Sequence, residues 1–592
     1  MKKIIALSLL LVLLAIGGCG PTPRPSQVSG TPNPPFEGQA PEDAMTADCT
    51  PGNYGGTLVM GLPGNPKSFN VVTAVEVLSA WVLAGPVYKA LVDYDNEKQI
   101  DIPGLAKSWE STPDGLEWVF NLRKGVMWSD GTPFTADDVM FTFQVNFDRN
   151  VASPGGDLFT QSDGSFPTFE KIDDYTVKFR LKEPNALFAA AIGSTYLVPK
   201  HKWESAYKAG NFRQVLSLST PPQDVVGLGP FRVQSFTSDQ RLVLERNPYY
   251  WRIDKDKKRL PYLDKVIFVI VPDFNTTALK FQSGETDMMW DVSPENVESV
   301  RSKEQAGDFK VYDLGPSFNT NYIVFNQDLV KNKNPIKLRW FREQKFRQAV
   351  SHAIDRDAMV RTAFQGNGIP LFHFNSPANK TWYTDDIMKY PYNPDRAREL
   401  LKEIGMEDRN GDGTIEDSQG HPIKFTIITN SNRPYRINMG TLIKDNLTRI
   451  GMDVTLQPLE PGLVSEKLQN TRDFDAIIMG WQSQVPPDPI IGKNTLLPSG
   501  NTYYAFPNQK EPSTEWEKRL QELITLNSKQ INLADRQQSY NEAMRLWSEY
   551  LPDIELATSN FFVAAKNRFG NFKPSPLANF VYWNIDELYL TK

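Results

Sequence analysis

Residues 104–139 read GLAKSWESTPDGLEWVFNLRKGVMWSDGTPFTADDV. From Glu117 to Leu122 the residues alternate. Trp118, Phe120 and Leu122 face one way, and Val119 and Asn121 the other, as in a half-buried strand. Asp114-Gly115 before it and Asp130-Gly131-Thr132-Pro133 after it are turn signals. Thr135 is placed to cap a helix, with Asp138 three residues on as the return arm of a capping box. Val139, Phe143 and Phe147 follow at helical spacing. The block is a hairpin, a turn and an amphipathic helix, a scaffold with no chemistry of its own.

Outward from this block, Gly55–Met60 and 174–181 (DYTVKFRL) read as strands, and Val77–Leu91 and Trp340–Phe364 as helices. Asn393-Pro394 starts a further helix that Gly405 ends. Between 424 and 480 the period alternates between strand and helix. KFTIITN (424–430), 453–458 and 474–480 (FDAIIMG) are strands, joined by helices over 434–450 and 461–470. A βαβαβ run makes a parallel sheet with right-handed crossovers. Ligands of such sheets sit outside the carboxyl ends of the strands, and Gly480-Trp481 lies at one of them. Glu515–Tyr550 is helical in pattern.

The 592 residues exceed one hydrophobic core, so two or three domains are expected. The net charge of −6 argues against a nucleic-acid partner, which would need a basic excess. Lys2 and Lys3 precede an apolar run over 4–16 that ends in Ile16-Gly17-Gly18-Cys19. The run is shorter than the ~20 residues of a spanning helix. It reads as a signal peptide over 1–18, with lipid on Cys19. Residues 19–53, rich in Pro, Thr, Ser and Gly, read as a disordered tether. With Cys19 acylated, Cys49 has no partner, which excludes disulfides and thiolate metal sites. The four histidines form no His-Glu-x-x-His, and neither a Gly-x-Ser-x-Gly elbow nor a Walker A loop occurs. Asp408, Asn410, Asp412, Thr414 and Glu416 follow the first nine positions of an EF-hand loop, with Gly413 at the sharp turn. Gln419 stands where the bidentate Glu would be, and a strand follows. The loop is therefore a candidate for structural calcium only, and no other cofactor is expected.

The signature text resembles that of the family-five extracellular solute-binding proteins, the oligopeptide- and dipeptide-binding class that serves ABC importers. Members carry a "GLAxSWE" turn, a "W-x-F-x-LR-x-G-V-x-W/F-x-DG-x-P" hairpin and "T-A-x-D-V". These are here Gly104–Glu110, Trp118–Pro133 and Thr135–Val139. GLGPFRV (227–233), LERNPYYW (244–251), LPYLDKVIFVIVPD (260–273) and LKFQSGETDMMW (279–290) are also similar to family text, so the resemblance covers roughly 50–592.

The resemblance implies an α/β, two-lobe, periplasmic-binding-protein-like fold of type II, in the large cluster with an extra subdomain. Lobe I comprises 54–93, an inserted subdomain over 94–200, 201–318 and a C-terminal return over 558–592. Lobe II spans 319–557. Two hinge strands lie near 318–322 and 556–560. The implied function is a monomeric, lipid-anchored, extracytoplasmic binding protein that closes on a peptide-like ligand and delivers it to an ABC permease, without catalysis. Ser68, Asn70, Phe231, Asn319 and Tyr322 are implied ligand contacts. In peptide-binding members an aspartate three residues after the Gly-Trp holds the ligand's ammonium. Gln484 stands at that spacing here, and Asp488 is the next carboxylate. Trp481, Gln484 and Asp488 complete the candidate set. Neutral amides beside a tryptophan also suit an oligosaccharide, and an extracellular hydrolase is the alternative of another class.

Overall fold

The computed structural model describes residues 36–591 except 75–76, 295, 483–484 and 578–581. The expected signal peptide, Cys19 and Gln484 lie outside the described residues.

A mixed sheet of twelve strands runs through the molecule. In chain order these are β1 (Thr57–Leu62), β2 (Phe231–Thr237), β3 (Arg241–Arg246), β4 (Lys265–Ile270), β5 (Met288–Met289) and β6 (Phe309–Pro316). Then come β7 (Thr320–Phe325), β8 (Gly368–Pro370), β9 (Lys424–Asn430), β10 (Asp453–Leu459), β11 (Ala476–Trp481) and β12 (Asp553–Lys566). The spatial order is β10-β9-β11-β7-β12-β5-β1-β4-β3-β2, with β6 and β8 also paired to β12.

Strand β12 belongs to both lobes. Its first half pairs with β7, Val324 opposite Asp553 and Asn321 opposite Ala557. Its second half pairs with β6, from Pro316 opposite Asn560 to Phe309 opposite Lys566. The chain crosses between lobes at 317–319, between β6 and β7, and again within β12. The crossings are tied together: Ser317 N–H donates to Ser559 O at 2.8 Å, and the Thr558 hydroxyl to Asn319 O at 2.6 Å. Two adjacent strands with register shifts on both sides are a hinge.

In lobe II, β9 pairs in parallel with β10 and β11, as the βαβαβ pattern requires. Both faces are covered, so the strands are apolar on both sides. Ile323, Phe325, Ile427 and Ile478 enter one core, and Tyr322, Val324, Ile428 and Ile477 the other. In lobe I, β1–β4 bury Leu58, Met60, Phe231, Leu244 and Phe268. The signature block builds part of a separate four-stranded antiparallel sheet with helix Ala136–Asn146. Trp118, Phe120 and Leu122 point inward, and Thr135 and Asp138 close the capping box. Phe120, Phe143, Phe159, Phe179 and Phe188 meet there in one core, each worth roughly 1.5–3 kcal/mol of burial.

Three expectations are corrected. The tether read over 19–53 gives way by Phe36. The Arg259 guanidinium lies 4.8 Å from the Phe36 ring, Met45–Thr46 pairs with Arg252–Ile253, and Ala47 and Cys49 are buried. A few anchors set in proline-rich text carry too little hydrophobicity to be read as structure. The helix expected over 77–91 ends at Leu83, because Gly85, at φ +92°, and Pro86 break it. The helix expected over 340–364 is three helices, Pro335–Arg342, Gln344–Ala353 and Arg356–Ala363. Glu343 and Asp355 leave helical geometry and cap the helices that follow.

Candidate functional site

The carboxyl end of β11 meets the start of β7, with Thr320 opposite Trp481 and Asn321 opposite Gly480. Gly480 is required by close approach: a Cβ there would stand 2.3 Å from Arg436 Nη2 and 2.7 Å from Thr320 O. Arg436, at the start of the helix after β9, donates from Nε to Asn321 Oδ1 at 3.1 Å. Asn321 in turn donates to Ala557 O at 3.1 Å. Strands β7, β11 and β12 and the helix after β9 are thus laced together where the lobes meet.

Trp481 does not offer a free face. Tyr322 stacks on one side, with centroids 4.7 Å apart at 14°, and Tyr504 on the other, at 5.2 Å and 4°. Phe374 packs against the same indole at 5.8 Å. Trp481 and Tyr504 are half-buried, and Tyr322 is fully buried. The expected platform for a ligand is therefore the middle of an aromatic stack.

Asp488 is also engaged. Its Oδ1 accepts from Arg536 Nη2 at 2.7 Å and from Ile490 N–H at 3.0 Å. The guanidinium lies 4.7 Å from the Trp382 ring. The side chains of Arg536 and Asp488 are 7% and 11% exposed, a buried ion pair. Lobe I presents Tyr94 and Asp101 to it, register partners on the hairpin Val92–Asp95/Ile100–Pro103. Burial, reinforced by the charge of Asp488, pushes the Asp101 carboxyl up to about 6, and Arg536 opposes the shift. Asp488 is therefore not an open ammonium anchor in this arrangement.

The remaining expected contacts divide. Asn70 is fully buried and ties its own loop to the 212–215 segment: Nδ2 donates to Phe212 O and Val215 O, and Oδ1 accepts from Val72 and Thr73 N–H. The Ser68 hydroxyl donates to Leu216 O and accepts from Asn70 N–H. Phe231 is core under β2. These three shape the lobe I wall from behind. Asn319 sits in the hinge crossing, its carbonyl taken by Thr558. Tyr322 and Trp481 come together, and Asp488 lies on the loop beyond them.

The lobes touch across the cleft. Gln99 Nε2 donates to Ala378 O at 2.9 Å, Ala186 N–H to Ser528 O at 3.0 Å, and Lys529 pairs with Glu183 at 3.2 Å. Leu187 and Ala190 enter the lobe II core. The lobes thus touch directly as well as through the hinge strands.

Three functional-site residues were missed from the sequence. Arg536 reads there as one of many exposed helix charges, and Tyr504 carries no motif. Glu555 did leave a signal, because Asp553 and Glu555 at spacing two put two acids on one face of an otherwise apolar strand.

Carboxylate oxygens of Asp408, Asp412 and Glu416 lie within 4.8 Å of one another. Asp408 also accepts from Gly411 and Gly413 N–H. The donors are hard oxygens, as calcium requires. The loop is a hairpin beside the amino ends of β9 and β10, where Ile415 N–H donates to Gly451 O, and not at their carboxyl ends.

The model of the bacterial extracellular solute-binding proteins, family 5 Middle, matches residues 102–503. The oligopeptide-binding protein AppA of Bacillus subtilis is 28% identical over 545 residues, covering 91% of this chain and 92% of that protein. A structure of AppA with a nonapeptide superposes with a TM-score of 0.68 at 26% identity, covering 92% of this chain and all of that one. The substrate-binding protein CtaP of Listeria monocytogenes superposes at 0.74 with 25% identity, over 91% of this chain and all of that one. A probable ABC transporter-binding protein of Deinococcus radiodurans is 27% identical over 484 residues, 79% of this chain and 81% of that protein. With the signature block, the two lobes and the hinge all in place, the chain belongs to the bacterial extracellular solute-binding proteins of family 5.

Proposed function

We propose that this protein is the extracytoplasmic binding component of an ABC importer, which closes its lobes on a peptide and delivers it to the permease. The observation that carries this reading is the match to AppA over both lobes, a relative whose structure is a complex with a nonapeptide. Physically, a ligand that touches both lobes favours the closed state by its differential affinity for that state. No covalent step is required. Lipid on Cys19 would hold the protein at the outer face of the cytoplasmic membrane through the segment before Phe36. Cys19→Ala should move it from the membrane to the soluble fraction, and unchanged lipid-bearing protein in the membrane would refute the anchor. Among the described residues no helix is long and apolar enough to cross a membrane.

One observation favours a second reading. The Asp488–Arg536 pair removes a free carboxylate from the loop after β11, which suits an uncharged oligosaccharide. Calorimetric titration with peptide pools and with oligosaccharides separates the two. Peptide binding is expected, with a smaller scattering radius at saturation. Stabilisation should be about 2.7 kcal/mol at a hundredfold excess over Kd. Peptide recovered intact after hours supports binding, whereas cleaved peptide supports the hydrolase alternative. The 408–416 loop is read as structural, so calcium or chelator should leave ligand affinity unchanged within about threefold, ~0.7 kcal/mol.

A further inference from the structure

Behind the aromatic stack lies a set of polar atoms that the fold leaves without partners. Glu555 is 3% exposed, and neither carboxyl oxygen has a hydrogen-bond partner among the described residues. The hydroxyls of Tyr322 and Thr320, 0% and 2% exposed, have no hydrogen bond of ordinary length either, although Thr320 lies near enough to Glu555 to lower its carboxyl. These groups are neighbours. Tyr322 is the register partner of Glu555 across β7 and β12, and Thr320 is two residues along the same face of β7. Buried polar groups are satisfied in the great majority of cases, and each orphan costs about 1–3 kcal/mol. Four orphan oxygens together require an explanation.

The nearest cation does not supply one. Arg356 donates from Nε to the backbone carbonyl of Glu555, and its other nitrogens serve Ser351 O, Ser351 Oγ and Tyr390 O. The groups facing Glu555 from the surrounding elements are Asp553 on its own strand, Tyr322 on β7, Tyr540 on the helix Leu533–Tyr550 and Arg356. Glu555 thus faces one guanidinium that is already committed elsewhere, and Tyr322 faces Arg436, which donates to Asn321.

We propose that Glu555, Tyr322 and Thr320 form a subsite for a cationic arm of the ligand, an ammonium or guanidinium group entering beside Trp481. The proposal rests on the peptide reading and deepens it: the peptide would carry a lysine- or arginine-like side chain. An ammonium has three donors and no acceptor, which matches a carboxylate and two hydroxyl oxygens. Thr320 pairs with Trp481 at the strand end, so the arm would enter past the half-buried Trp481 ring. Burial, then the charge of Asp553, holds the Glu555 carboxyl well above the ordinary range. An arriving cation lowers it, so the carboxyl proton passes to solvent on binding and no other bond changes.

The test uses the full chain and three probes. These are nine-residue Gly/Ala/Ser peptides with lysine placed at each position in turn, the same peptides with Nε-acetyl-lysine, and cadaverine alone. At one or two positions, acetylation should weaken binding at least tenfold. Glu555→Gln should abolish that difference, and Tyr322→Phe should reduce it. Calorimetry in phosphate and in Tris should show a proton released by wild type and none by Glu555→Gln. Equal binding of lysine and acetyl-lysine peptides by wild type would overturn the subsite. So would a preference that survives in both variants. If no peptide binds but cadaverine stabilises wild type and not Glu555→Gln, the subsite stands and the peptide reading falls. If no probe binds, both fall.

Discussion

Replacing Arg536 by Met should lower the stability of lobe II by about 3–5 kcal/mol, the usual cost of orphaning one member of a buried ion pair. The pair is 2.7 Å long, and both side chains are almost wholly buried. Without Arg536, the Asp488 carboxylate would face Asp101 with no counter-charge, in a region where Asp101 is already pushed up to about 6. Replacing both partners by apolar residues should recover much of the loss, because the desolvation cost disappears with the charges. Urea unfolding followed by tryptophan fluorescence reads this as a double-mutant cycle. The same geometry changes what is expected of Asp488→Asn. A carboxylate that met a ligand ammonium would cost 2–5 kcal/mol of affinity when neutralised. One held by Arg536 should cost stability instead and leave peptide affinity within about threefold. Lost affinity at unchanged stability would show that Asp488 turns to the ligand.

Much of this architecture was legible because its signals are local. The alternation at 117–122 fixed the inward face of Trp118, Phe120 and Leu122, and Thr135 with Asp138 announced the helix start. The βαβαβ period placed Trp481 at a strand end, and the structure confirms that position. The chemistry at that position was not legible, because it depends on partners far along the chain. Trp481 is covered by Tyr322 and Tyr504, and Asp488 is neutralised by a residue 48 positions away. Asn70 looked like a polar loop residue available to a ligand, yet two local hydrogen bonds and two to distant carbonyls consume it. Spacing shows which face a residue takes but not which distant group has already satisfied it. The helix break at Glu343 was missed for a related reason. Glu343 is a helix former by type and gave no sign of a cap, whereas Asp355, a common N-cap residue, did carry a local signal.

Replacing Asp553 by Asn should stabilise the protein at pH 8 and leave it nearly unchanged at pH 4. Complete burial pushes the Asp553 carboxyl up to about 7 from an ordinary 3.8, although Trp547 Nε1–H donates to it at 2.8 Å. The sign follows from linkage. Below about 3.8 the group is neutral in both folded and unfolded chains, so its contribution is fully present. Between 3.8 and 7 only the unfolded chain ionises, and stability falls as pH rises. Above 7 both forms are ionised, and the folded state carries the whole desolvation cost, at most about 4 kcal/mol for three pH units. Asparagine keeps an amide oxygen for the Trp547 indole and never ionises. The variant-minus-wild-type difference should therefore grow from near zero at pH 4 to a few kcal/mol at pH 8. Taking the difference removes groups of opposite sign. At Asp417, burial is outweighed by hydrogen bonds from Trp340, His421, Gln419 and Arg339, which hold the carboxyl well below the usual range. Denaturant midpoints measured between pH 4 and 8 decide the matter. Parallel curves for the two proteins would mean that Asp553 ionises at little cost, and hence that water reaches the face of β12 that also carries Glu555.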